Sequence, residues 1–116
     1  MIGIIDYGCG NIHAFTNVFK SMNIDSLVVS KPDQLSNVKK IILPGVGSFD
    51  HVIKSFNNSG LRDKVEKKVL DDKVDILGVC AGMQILANSS DEGIEEGLGW
   101  INGIVKKFTF NKFEKK

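Results

Sequence analysis

The stretch V74-DILGVCAGMQIL-A87 (Val74–Ala87) decides the fold. Val74, Ile76, Leu77 and Val79 form a short apolar, partly β-branched run of strand length rather than helix length. Ala81 to Ala87 then reads as a helix start, with Ile85 and Leu86 available to face a core. Between them Gly78-Val79-Cys80-Ala81-Gly82 is the cysteine form of G-x-S-x-G, the nucleophile elbow.

The spacing has a mechanical reason. A side chain at the tip of a sharp strand-to-helix turn takes a strained backbone conformation. Residues two positions away must then be small, or their Cβ atoms collide with the turn, and Gly78 and Gly82 meet that need. The following helix directs its unpaired N–H groups towards Cys80, a field that favours thiolate over thiol. The N–H of Ala81 can face the same centre as an oxyanion donor. The five residues fit equally a buried structural cysteine beside a glycine-rich helix start.

Working outward, 116 residues make one small domain or part of one, with 1–116 belonging to a single domain. Apolar content of 42% is enough for a packed core, and charge is nearly balanced, 15 basic against 14 acidic. Arg62 is the only arginine among the basic residues, which argues against nucleic acid as a partner. No apolar run approaches the ~20 residues of a membrane span. Met1 leads straight into a strand-like run with no basic leader, so the expectation is a cytoplasmic chain with Cys9 and Cys80 as free thiols.

Met1–Asp6 reads as a strand and Tyr7–Asn11 as a turn. Ile12, Phe15, Val18, Phe19 and Met22 recur at helical spacing until Asn23. Ser26–Ser30 is the second strand, and Pro32 opens a short turn through Leu35. Lys39–Leu43 is the third strand, Pro44–Gly47 a turn, and Ser48 an N-cap for a helix with the stripe Phe49, Val52, Ile53, Phe56. A break at Asn57–Gly60 precedes a third helix on Leu61, Val65 and Val69, with its charged residues as a solvated face. After the elbow, Asn88–Gly97 reads as a polar acidic loop. Leu98–Trp100 returns to the core, Ile101–Phe110 is one strand or two, and NKFEKK frays.

Alternating strands and helices imply an α/β fold, a parallel sheet with helices on both faces. Sites in such folds lie at the carboxyl ends of the strands, and three glycine turns fall there: Tyr7–Asn11, Pro44–Gly47 and Gly78–Gly82. Other readings of these turns fail on single residues. A dinucleotide fingerprint needs a glycine or alanine where His13 stands, and an acid after strand two, whereas Asp25 precedes it. A phosphoacceptor needs an Asp where Pro44 stands. A metal site lacks ligands, and no cofactor is implied. His13 and His51 each follow a glycine turn and could reach Cys80 as a base, though each also fits a helix surface.

Four segments, in order, carry a family resemblance: IGIIDYGCGNI (Ile2–Ile12), ILPGVGSFD (Ile42–Asp50), GVCAGMQ (Gly78–Gln84) and GLGWINGIVKKF (Gly97–Phe108). The chain resembles class I (triad) glutamine amidotransferases, whose fold is flavodoxin-like, and within them the glutaminase subunits of imidazole glycerol phosphate synthase in histidine biosynthesis. The resemblance implies that Cys80 attacks the side-chain amide of L-glutamine, releasing ammonia and leaving a γ-glutamyl thioester. It implies oxyanion donors at Ala81 and in the Pro44–Gly47 loop (Val46, Gly47), a loop thought to reorient when the partner signals. It places Gln84, Gly45 and Gly82 at the glutamine pocket and Gly10 and Asn11 at the partner interface. The implied partner is a (β/α)8-barrel cyclase subunit that receives the ammonia as a heterodimer.

The family's triad His and Glu come late, in an H-P-E-type segment that these 116 residues do not contain. The expectation is therefore a C-terminally shortened domain, inactive alone as a glutaminase, with an apolar sheet edge and face uncovered and poor solubility. Two alternatives share the elbow: a glutaminase feeding a synthase that amidates a surface sugar, and a DJ-1-like cysteine stress or redox protein.

Overall fold

The structure is a computed structural model and describes residues 1–108. Four parallel strands, β1 (Ile2–Ile5), β2 (Ser26–Val29), β3 (Lys40–Leu43) and β4 (Asp75–Gly78), form one sheet in the order β2-β1-β3-β4. The register sets Ile4 beside Val28 and Ile42, and Ile42 beside Leu77. Side chains alternate along each strand, so these residues share one face. Ile5, Val29, Ile41, Leu43 and Ile76 share the other.

That second face carries the main core. Its residues cluster with Phe49, Val52, Ile53 and Phe56 of α2 (Phe49–Asn58) and Val65 of α3 (Arg62–Glu66). The stripe expected on α2 is buried in full, and Ser48 caps the helix by accepting the His51 N–H at 3.2 Å. The first face is covered by α1 (Ile12–Ser21), which packs on β1 and β2. Helices thus lie on both faces, as the alternation implies.

Coverage of the first face is partial. Ile4 is fully buried, but α1 itself buries no residue, Val18 and Met22 are mostly exposed, and Leu77 is 58% exposed. The helical stripe read from Ile12 to Met22 is therefore a half-covered face. The uncovered apolar sheet surface expected from the sequence is present, at Leu77.

Other differences are local. The third helix changes after Glu66 into a π-helical stretch, Lys67–Asp71, and Asp72 N–H reaches back five residues to Lys67 O at 3.1 Å. Its charged face is not all solvated: the Trp100 indole N–H donates to Glu66 Oε1 at 2.9 Å. Within the segment read as an acidic loop lies β5 (Ser89–Ser90), paired in parallel with β6 (Ile104–Val105). The strand expected over Ile101–Phe110 shrinks to those two residues. Thr109, Phe110 and the NKFEKK tail lie outside the described residues.

Candidate active site

Cys80 stands between β4 and α4 (Ala81–Gln84) with φ +56° and ψ −125°. A side chain held there is strained by ~1–3 kcal/mol, which the surroundings must sustain. They do so from both sides. Val79 N–H extends the sheet ladder to Leu43 O at 3.0 Å, and Met83 N–H starts the helix on Cys80 O at 3.0 Å. Cys80 is exposed and free, whereas Cys9, also free, is buried.

The two elbow glycines answer to different obstacles. A Cβ on Gly78 would stand 2.6 Å from Met83 Cα, within the turn itself. A Cβ on Gly82 would run into Leu43 O and lie 2.9 Å from Pro44 C, so here the obstacle is the neighbouring strand. Gly45 closes the same contact, because its Cβ would lie 2.5 Å from Gly82 N and 3.0 Å from Tyr7 Oη.

The three glycine turns therefore meet. Gly10, at φ +128°, packs on Pro44, where a Cβ would come within 2.9 Å of Pro44 Cβ. The Tyr7 hydroxyl donates to Pro44 O, and its ring meets Phe56 edge-on at 5.4 Å. Burial pushes the Tyr7 phenol above its usual range, so it remains a donor. Asn11 caps α1, its Oδ1 accepting the Ala14 N–H at 3.2 Å.

The N–H groups expected as oxyanion donors differ in availability. Ala81 N–H is engaged: it donates to Gly45 O at 3.2 Å rather than standing open to the thiol. Val46 is 66% exposed, and Gly47 has φ +130° beside the His51 ring. Among the described residues the N–H groups of Val46 and Gly47 donate to no protein acceptor. Neither the His13 nor the His51 ring hydrogen-bonds Cys80, and no cluster fit to hold a metal occurs among the described residues.

Gln84 lies one helical turn beyond Cys80, its N–H on Cys80 O at 3.3 Å. It lines a cavity of about 300 Å³ with Glu92, Val105, Lys106, Lys107 and Phe108. A larger hollow of about 580 Å³ opens beside the amino end of β2, near Lys20 and Asp25, and shares no residue with this site. Three residues here escape the sequence reading. Glu92 shares the cavity with Gln84, Tyr7 ties two turns together, and Asp50 accepts the Ile94 and Glu95 N–H groups at 3.1 and 3.0 Å. Those two N–H groups hold the Asp50 carboxyl below its usual range.

The SNO glutamine amidotransferase family model matches residues 8–115. The chain is 53% identical over 112 residues to the imidazole glycerol phosphate synthase subunit HisH of Leptospira interrogans, covering 97% of this chain and 55% of that protein. It is 54% identical over 108 residues to the same-named subunit of Bdellovibrio bacteriovorus, covering 93% and 53%. The chain thus spans about half the length of the curated relatives it matches. A solved structure described as a crystal structure of glutamine amidotransferase superposes with a TM-score of 0.76 at 26% identity, over 90% of this chain and 55% of that one.

Proposed function

The chain belongs to the SNO glutamine amidotransferase family, and from that premise we propose that it carries the nucleophile and half-pocket of a glutaminase subunit serving imidazole glycerol phosphate synthesis. The observation that supports this most is the exposed thiol of Cys80, held at a strained elbow where three glycine turns meet and one helical turn from the Gln84 cavity.

In this reading the Cys80 sulfur adds to the side-chain amide carbon of glutamine, and the carbonyl π pair moves to oxygen. The carbon–nitrogen bond then breaks, ammonia leaves with an added proton, and a thioester remains. Water attacks the thioester, the carbon–sulfur bond breaks, and glutamate and the thiol are regenerated. The resemblance assigns the proton transfers to the late His–Glu pair. The oxyanion is met by the free N–H groups of Val46 and Gly47, and by Ala81 N–H once the Gly45 carbonyl turns away. Glu92, Lys106 and Lys107, all at the cavity, offer both charges that an α-amino acid zwitterion needs.

The proposed partner is the barrel cyclase that receives the ammonia. The Gly10–Asn11 turn suits a partner contact, because Gly10 bears directly on Pro44 and so on the oxyanion loop.

The test is covalent labelling of the 116-residue chain with a diazoketone analogue of glutamine. One adduct is expected at Cys80 and none at buried Cys9; excess L-glutamine should suppress it and Cys80→Ala abolish it. Catalytic turnover of glutamine is expected to be undetectable with this chain alone. A Cys80 that ignores the analogue but settles as a sulfinate under mild peroxide would overturn the reading in favour of redox chemistry. Turnover by this chain alone, lost on Cys80→Ala, would instead bring His51 or His13 back as the base.

A further inference from the structure

Asp50 sits on the first turn of α2, outside both the thiol and the oxyanion loop. Its carboxylate is nevertheless committed at both oxygens. Oδ2 accepts the Ile94 N–H at 3.1 Å and Oδ1 the Glu95 N–H at 3.0 Å. Gly93 passes so close that a Cβ there would run into Oδ1. Lys54, one turn along α2, pairs with Glu95 at 3.3 Å. The other end of this loop is fixed by Ser90, whose Oγ accepts the Glu92 N–H and whose carbonyl accepts the Gly93 N–H, each at 3.2 Å. Glu92, which lines the cavity shared with Gln84, is therefore suspended between two anchors.

We propose that Asp50 is a positioning residue: by gripping residues 93–95 it holds Glu92 at the cavity beside Gln84 and so sets that cavity's affinity for a glutamine-sized amino acid. The affinity claim rests on reading the cavity as the glutamine site. Two adjacent backbone N–H groups on one carboxylate fix both the height and the plane of the loop, which a single bond would not. Folding of α2 does not demand this residue, since Ser48 already caps the helix and four apolar residues bury its inner face.

The test compares the wild-type chain with Asp50→Asn, whose amide keeps one acceptor oxygen and places an NH2 opposite the second N–H. Amide exchange at Ile94 and Glu95 is expected to accelerate by roughly fivefold or more. The concentration of the glutamine diazoketone that half-saturates Cys80 labelling should rise by a similar factor. The second-order rate of Cys80 alkylation by iodoacetamide, which needs no pocket, should stay within about twofold. Protection at Ile4 and Ile5 reports that the sheet is intact. Should the Asn variant not fold, Asp50→Glu keeps the charge, displaces the carboxylate by one methylene, and is expected to give the same split.

Unchanged exchange at Ile94 and Glu95 would overturn the grip. Faster exchange with unchanged half-saturation would overturn the link to affinity. A parallel fall in the iodoacetamide rate would mean that Asp50 acts on the elbow as a whole, and would overturn the proposal too. A wild-type chain whose labelling never saturates would overturn the glutamine reading and the affinity claim with it, while the exchange measurement alone still decides the grip.

Discussion

Gly82 and Gly60 separate two reasons for a glycine. Gly60 has φ +80° and nothing within 4 Å of a built Cβ, so only backbone strain opposes a side chain there. That strain is ~1–2 kcal/mol. Gly82 has no positive φ, but its Cβ would enter the Leu43 carbonyl, and backbone on both sides must shift to admit it. Thermal melts should therefore show Gly60→Ala losing ~1 kcal/mol and Gly82→Ala losing ~3 kcal/mol or more. Equal losses would mean that the β3–elbow contact is looser than the structure shows. The same pair marks how far single residues can be read. The demand for small neighbours around Cys80 is visible in the spacing Gly78-x-Cys80-x-Gly82. That Gly82 owes its size to Leu43, and that Ala81 N–H is taken by Gly45, are contacts between strands 35 or more residues apart, which spacing within the motif does not encode.

At the scale of elements, α2 was the most legible because three independent signals agree: a serine cap, an apolar stripe at helical spacing and a preceding Pro-Gly turn. Helix α1 carries as clear a stripe, yet only half-buries it, since a periodic pattern states which face is apolar and not what covers that face. The segment 88–97 was the least legible. Its order comes from outside, from Asp50 on α2 and from pairing of Ser89–Ser90 with Ile104–Val105, and its own composition is that of a loop. The outside tether gives it a pH dependence of known sign. The Asp50 carboxyl lies below its ordinary 3.8, chiefly because it accepts the Glu95 and Ile94 N–H groups, with Lys54 adding to the effect. A depressed carboxyl contributes its stabilisation above the unfolded value, and that contribution is lost as pH falls through the lower folded value. Amide shifts of Ile94 and Glu95 should therefore move together as pH falls through that lower value, with their midpoint below 3.8. Movement already complete at pH 3.8 would show the tether to be absent in solution.

The molecule as a whole is finished on one face of its sheet and open on the other. Ile41 and Ile76 face the clustered core under α2 and α3, while Leu77, one residue along the same outer strand, faces the side that α1 reaches only over β1 and β2. The outer edge of β4 has no strand partner among the described residues, so an apolar patch and an unpaired ladder adjoin. That combination invites association through the strand edge, and charge placed on it is the usual counter. Leu77→Lys exchanges a half-solvated leucine for a side chain whose stem covers the same surface, and should leave the melt within about 0.5 kcal/mol. It should also move the chain towards monomer in light scattering at concentrations where the wild type self-associates. Ile41→Lys is the control: Ile41 is 1% exposed, and a lysine buried there lacks a partner and should abolish cooperative folding. If Leu77→Lys were as damaging as Ile41→Lys, Leu77 would have to be covered in solution, and the first face of the sheet would be closed by something the 108 described residues do not supply.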